Sequence, residues 1–169
     1  MSHRGRDGGL GPGVLKVLEG IFGPKGLLET PEARLCYSFD ASFGVREHAG
    51  RPAAVVLASE AGQVSRLLSF CSAEGIAVVP RGAGSNLSGG VLPPAGSVVL
   101  DLSRMDGVAW VNPENLAARV QPGVVTGRLQ AMVEGMGLFY PPDPASLAFS
   151  TIGGNVAECA GGPRCLKYG

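Results

Sequence analysis

The run Val78-Val-Pro-Arg-Gly-Ala-Gly-Ser-Asn-Leu-Ser-Gly-Gly90 gathers residue types that bind anions through the backbone. Gly82, Gly84, Gly89 and Gly90 let N–H groups turn toward one point without Cβ obstruction, and such a nest of amides binds phosphate oxygens. Ser85 and Asn86 add side-chain donors, and Arg81 adds positive charge. The loop follows a short apolar run that reads as a buried strand, and open α/β sheets bind ligands at the carboxyl ends of their strands. Two familiar phosphate loops are excluded. The sixth position of GxGxxG is Leu87 with no helix opening directly behind it, and GxxxxGK[ST] is absent. Glycines with Ser and Asn are also ordinary turn chemistry, so a plain interstrand loop is the competing reading.

A second constellation lies in Tyr140-Pro-Pro-Asp-Pro-Ala-Ser146, Ser150-Thr-Ile-Gly-Gly-Asn155 and Ala157-Glu-Cys-Ala-Gly-Gly162. The prolines stiffen the chain at low entropic cost. Gly153-Gly154 would let backbone lie flat against a planar group, with Ser146, Ser150, Thr151 and Asn155 offering polar contacts to heteroatoms. Stiff irregular backbone with small and polar residues suits an aromatic ring system. A structural coil without a ligand is the alternative.

The elements that must position these loops are legible from periodicity. Residues 14–22 have helical spacing and stop at Gly23-Pro24, and Pro31 opens a short helix. Ala53–Leu57 is a short buried strand, with Ser59 placed to cap the helix that follows. In that helix, over 60–74, Val64, Leu67, Leu68 and Cys71 share a face, and Gly75 ends it. Ile76–Val79 is a second strand, so the three elements predict a βαβ unit with parallel pairing. Ser97–Asp101 is a third strand. Val108–Val111 and Leu116–Val120 flank a turn and read as a hairpin. Residues 124–135 predict a helix with Val125, Leu129, Met132 and Val133 inward. From Phe139 to Gly169 no regular element is expected, and a stretch of that length in a compact domain is functional or disordered.

Composition narrows the function classes. The chain of 169 residues has 14 basic and 14 acidic side chains, so the basic excess of a nucleic-acid binder is missing. No apolar run reaches the roughly 18 residues that would span a bilayer. The polar, glycine-rich N-terminus carries no apolar segment of a secretory signal, and residues 1–12 read as a disordered tail. Cys36, Cys71, Cys159 and Cys165 form no CxxC pair and fit no common zinc spacing, so free thiols and a cytoplasmic location are expected.

Taken together and in order, PRGAGSNLSGG, the QPG of 121–123, PPDPAS, STIGGNVAE and AGGPRCLKYG resemble the FAD-binding (PCMH-type) domain of the vanillyl-alcohol oxidase superfamily. Within it they are most similar to the branch of the glycolate oxidase catalytic subunit and D-lactate dehydrogenase. The resemblance covers roughly residues 30–169 and implies an α+β (α/β) fold of two small α/β subdomains, the second incomplete. Residues 13–50 would lead into a FAD-binding domain over 51–169 that lacks its closing strands and the substrate domain.

The resemblance also implies roles. Pro80, Arg81, Gly82, Ala83, Gly84, Ser85, Asn86, Gly89 and Gly90 would hold the FAD pyrophosphate and adjacent sugar oxygens, and Gly123 would close the cleft. Pro142, Asp143, Ala145 and Ser146 would line the flavin side. Ser150, Thr151, Gly153, Gly154, Asn155 and Ala157 would run along the isoalloxazine and ribityl. Gly161, Gly162, Arg164, Tyr168 and Gly169 would complete the wall. Ser85 stands where some members carry the histidine that bonds flavin covalently, and the only histidines, His3 and His48, lie outside the motifs, so FAD is expected to be noncovalent. Cys159 departs from the family pattern, where asparagine is common. No metal and no catalytic residue is assigned.

The implied activity is oxidation of a 2-hydroxy acid to the 2-oxo acid, without turnover by this chain alone and with partner subunits of a glycolate-oxidase-like complex in prospect. The alternative is a non-catalytic FAD or nucleotide module completed by a partner chain. A flavin reductase on the same fold is a third reading, against which DPAS and STIGGNVAE argue.

Overall fold

The computed structural model describes residues 9–43 and 50–168, and the chain divides into two compact units, residues 1–102 and 103–169. His3, His48, Gly169 and most of the expected tail lie outside the described residues.

The first unit is built on a four-stranded sheet. Its elements are α1 (Pro12–Phe22), β1 (Leu27–Leu28), α2 (Pro31–Cys36), β2 (Ala54–Leu57), α3 (Ala61–Glu74), β3 (Val78–Arg81) and β4 (Val98–Asp101). The strand order is β1-β2-β4-β3, with β1 antiparallel to β2 and the other pairs parallel. Thus β2 and β3 are parallel, as the βαβ reading predicts, but β4 lies between them. The reason is in the side chains. Every residue of β2 and β4 is buried, whereas β3 is only half covered and contains Pro80, which has no N–H for a second neighbour and belongs at an edge. The strand expected at Ile76–Val79 runs two residues later, because Ile76 is still spent closing α3: its N–H donates to the Cys71 carbonyl at 2.9 Å.

Helix α1 buries Val14, Leu18 and Phe22 and packs on α3. Leu10, within the expected tail, is also buried. In α3, Leu67 and Cys71 are buried, Val64 is half-buried and Leu68 is 47% exposed, so the apolar stripe is narrower than its spacing predicts. Ser59 is not the cap. Glu60 holds that position without a side-chain bond, and the Gln63 side chain reaches back to accept the Ser59 N–H at 2.8 Å. The Gln63 amide also donates to the Ile21 carbonyl at 3.2 Å, tying α3 to the end of α1. β1 and α2, from the expected lead-in, join this unit: the Arg34 Nε donates to the Pro52 carbonyl at 2.7 Å just ahead of β2.

The second unit contains the antiparallel hairpin β5 (Val108–Asn112) and β6 (Ala117–Val120), then α4 (Thr126–Glu134), α5 (Ile152–Ala157) and α6 (Cys165–Tyr168). Asn112 accepts the Asn115 N–H at 3.0 Å to form the turn, and Leu116 leaves it at φ 51°. Val124, Leu129, Val133 and Ile152 form the core, with Val108, Val111, Val120, Leu138 and Tyr140 packed around it. Val125 and Met132, expected inward, are half-buried. The two short helices α5 and α6 correct the expectation of wholly irregular chain beyond Phe139. Gly153 and Gly154 sit inside α5, where glycine is poorly suited to a helix. Packing and a cap override that preference: Thr151 accepts the Gly154 N–H at 3.3 Å, and a Cβ on Gly153 would stand 2.6 Å from Pro122.

Candidate cofactor-binding site

The glycine loop leaves β3 at the carboxyl end of the parallel strands of the first unit. Gly84 (φ 66°) and Gly89 (φ 75°) adopt the left-handed backbone that the nest reading requires. A Cβ on Gly84 would run into the Arg81 guanidinium. Arg81 itself is buried and faces inward under the loop. Its Nη1 donates to the Phe39 carbonyl at 2.8 Å, and its guanidinium carbon lies 5.4 Å from the centroid of the Tyr37 ring. Tyr37 in turn donates its hydroxyl to Asp101 at 2.8 Å. Burial lowers the Arg81 pKa from its usual value, and the neighbouring Tyr37, Asp101 and Asp40 act in the opposite direction.

Asp40, which carries no signal in the sequence, is with Asp101 one of two buried acidic residues in this cluster. Its Oδ1 accepts the Ser42 N–H at 2.9 Å and the Ser42 hydroxyl, and its Oδ2 accepts the Asn86 amide at 2.8 Å. Burial alone would raise the Asp40 pKa, but the Ser42 and Asn86 hydrogen bonds and the Arg81 charge together bring it below the ordinary aspartate value. Asn86 also donates to Ser88 Oγ at 3.0 Å, which accepts the Gly90 N–H at 3.2 Å. Pro80, Ala83 and Gly90 are exposed or partly so, and Gly82, Ser85 and Gly89 are at the loop surface as well.

The second unit contains the remaining expected residues that the structure describes. Thr126 Oγ1 is a hub: it donates to the Ser150 carbonyl at 3.0 Å, lies 3.0 Å from Ser150 Oγ and accepts the Asn155 amide at 2.6 Å. Ser150, Thr151 and Asn155 are buried, and the Ser150 and Asn155 side chains are bonded inside the unit. Gly123 is buried as well, and its N–H donates to the Met105 carbonyl at 2.8 Å. Gln130 holds the proline loop, its Nε2 donating to the Pro142 carbonyl at 2.6 Å and lying 3.3 Å from that of Tyr140. Burial raises the Tyr140 pKa.

Gly161 and Gly162 dock on the same loop. The Asp143 N–H donates to the Gly161 carbonyl at 2.9 Å, and Gly162 (φ 75°) has no room for a Cβ against the Asp143 carbonyl. Arg164 pairs with Asp143 at 3.3 Å and stacks 5.1 Å from the Phe139 centroid, while Tyr168 meets Phe139 edge-on at 5.6 Å. Ser146 accepts the Ser150 N–H through its carbonyl at 2.7 Å, and Ala145 and Ala157 stay exposed. Thr126 and Gln130, both missed, carry a sequence signal: two polar residues four apart on the inward face of an amphipathic helix. Asp40 carries none, since its loop partner lies 46 residues further on.

Known proteins share this organisation. The family described as FAD binding domain matches residues 52–169. Glycolate oxidase subunit GlcD of Bacillus subtilis is 44% identical over 156 residues, covering 92% of this chain and 33% of that protein. D-lactate dehydrogenase of Anaerostipes hadrus is 39% identical over 119 residues, covering 70% and 25%. A solved alkyldihydroxyacetonephosphate synthase superposes with a TM-score of 0.84 at 28% identity, covering 100% of this chain and 32% of that one. The chain thus spans about a third or less of the length of the relatives it matches. With the glycine loop, the proline loop and the AGG segment in their expected order, the chain belongs to the FAD binding domain family, among relatives that include glycolate oxidase subunits and D-lactate dehydrogenase.

Proposed function

We propose that this chain is the flavin-holding part of an oxidoreductase that converts a 2-hydroxy acid of the glycolate or D-lactate type to its 2-oxo acid, with FAD bound noncovalently. The observation that carries the reading is the glycine loop at the carboxyl ends of parallel strands, where Gly84 and Gly89 take left-handed backbone and Asn86 Oδ1 is buried without a partner among the described residues. A nest of amides beside an orphaned acceptor fits a dinucleotide, which offers phosphate oxygens and sugar hydroxyls side by side. The choice of a hydroxy acid rests on the relatives named as glycolate oxidase subunit and D-lactate dehydrogenase.

FAD, when bound, supplies the two-electron acceptor for oxidation at the hydroxyl-bearing carbon. The chain's own contribution is to hold and shape. Loop amides from Gly82 to Gly90 would bind the pyrophosphate. Pro142, Asp143, Ala145, Ser146 and the α5 segment would border the flavin. Ser85, where covalent members carry histidine, leaves the cofactor free to dissociate. No base for the substrate hydroxyl is assigned to this chain, so we expect no turnover by the chain alone. Partner subunits of a glycolate-oxidase-like complex would act with it, in the cytoplasm.

Absorbance of the purified chain after incubation with FAD and desalting tests the first part. Flavin bands that persist and are released by acid are expected, and a colourless protein would refute the binding. Mixing the FAD-loaded chain with a candidate C-terminal chain and following dye reduction by glycolate and D-lactate tests the second. FAD retention without reduction by either acid would favour a non-catalytic module.

A further inference from the structure

One side chain of the glycine loop is oriented from outside the loop. A carboxylate has no proton to give at ordinary pH, so the Asn86 atom 2.8 Å from Asp40 Oδ2 is the amide nitrogen, and the Asn86 oxygen faces the other way. The same nitrogen faces Ser88 Oγ at 3.0 Å, so both of its donor directions are used. Asp40 is itself held by the N–H and hydroxyl of Ser42 and is buried, so it does not swing to follow the loop. Asn86 Oδ1 is left buried with no hydrogen-bond partner among the described residues. Residue type alone makes Asn86 a donor toward an anion, and the family resemblance places it among the residues that hold the pyrophosphate and the adjacent sugar oxygens. The geometry makes its free atom an acceptor, which would repel a phosphate oxygen and needs a donor.

We propose that Asp40 is a positioning residue that locks the Asn86 amide so that Asn86 Oδ1 accepts a sugar hydroxyl of the bound dinucleotide, leaving the phosphates to the loop's backbone amides. This deepens the FAD reading and rests on it. Ribityl and ribose hydroxyls flank the pyrophosphate in FAD, and both are donors of the required kind. The arrangement discriminates by polarity: Asp40 excludes the flipped amide, in which Asn86 would present N–H groups to the same place.

The test is a binding cycle between protein and ligand, read by FAD fluorescence quenching and needing no turnover. Dissociation constants are measured for the wild-type chain and Asp40→Asn with FAD and with FAD analogues each lacking one ribose or one ribityl hydroxyl. The substituted amide can donate as well as accept, so it would let the Asn86 amide turn over. In the wild type, one analogue is expected to bind about tenfold more weakly than FAD, which names the hydroxyl as ribose or ribityl. Asp40→Asn is expected to bind FAD about tenfold more weakly and to lose the distinction between FAD and that analogue. If Asp40→Asn does not fold, Asn86→Ala carries the same cycle.

Equal discrimination by wild type and variant overturns the proposal. So does a uniform loss of affinity for FAD and every analogue, which marks a structural role alone. A wild-type chain that retains no FAD at all overturns the FAD reading together with this one, and is thereby told apart from the other two outcomes.

Discussion

Gly162 shows how much a single residue carries in this chain. It sits at φ 75° with the Asp143 carbonyl where a Cβ would be, so alanine there meets both a backbone penalty and a clash. We expect Gly162→Ala to destabilise the second unit by about 1–3 kcal/mol, seen as a lower urea midpoint. Gly84→Ala has the same conformational problem next to a buried guanidinium, and its expected signature is weaker FAD retention on desalting. Asp40 adds a pH dependence whose sign follows from its lowered pKa. A depressed carboxyl contributes stability that is fully present above the unfolded value of about 4 and is lost as pH falls through the folded value. Urea midpoints measured from neutral pH downward should therefore drop in acid more steeply for wild type than for Asp40→Asn. The glycines were legible from sequence because turn chemistry is local. Asp40 was not, because nothing in the neighbourhood of Phe39-Asp-Ala41 marks a partner at Asn86.

At the scale of elements, the inward face of α4 is more than an apolar stripe. Thr126 and Gln130 use it to hold α5 and the proline loop. Thr126→Val keeps the shape and removes the hydroxyl, leaving the buried Asn155 amide without this acceptor. The expected cost is about 1–3 kcal/mol in chemical denaturation, against a much smaller change for a surface substitution on the same helix such as Arg128→Ala. Among the described residues, the polar contacts of Arg128 are to Asp106 and are exposed. Periodicity located α1, α3, α4 and the β5–β6 hairpin well, since each shows its period over enough residues. It missed α5 and α6, which are six and four residues long and rich in glycine or polar side chains, too short for a period to register. The formation of α5 depends on the Thr151 cap and on the fit of Gly153 against Pro122.

Across the whole molecule, the four cysteines give a simple readout of the two units' integrity. Cys71 is buried in α3 and its thiol pKa is raised by burial, whereas Cys36, Cys159 and Cys165 are exposed. A thiol-reactive dye should label three sites in the native chain and the fourth only on unfolding. Early reaction of the fourth would show that α3 opens without global unfolding.

The amino-acid order alone was enough to locate the glycine loop, the stiff proline segment, the family resemblance and most elements, because turn propensity, φ restriction and hydrophobic period are all properties of neighbouring residues. The fold had to be seen to learn that β4 inserts between β2 and β3, that Arg81 turns under its loop, that Ser150 and Asn155 bond inside their own unit, and that Asp40 orients Asn86. Each of these depends on side chains distant in sequence competing for the same buried space and the same few hydrogen-bond partners, and that competition is settled only when the chain packs.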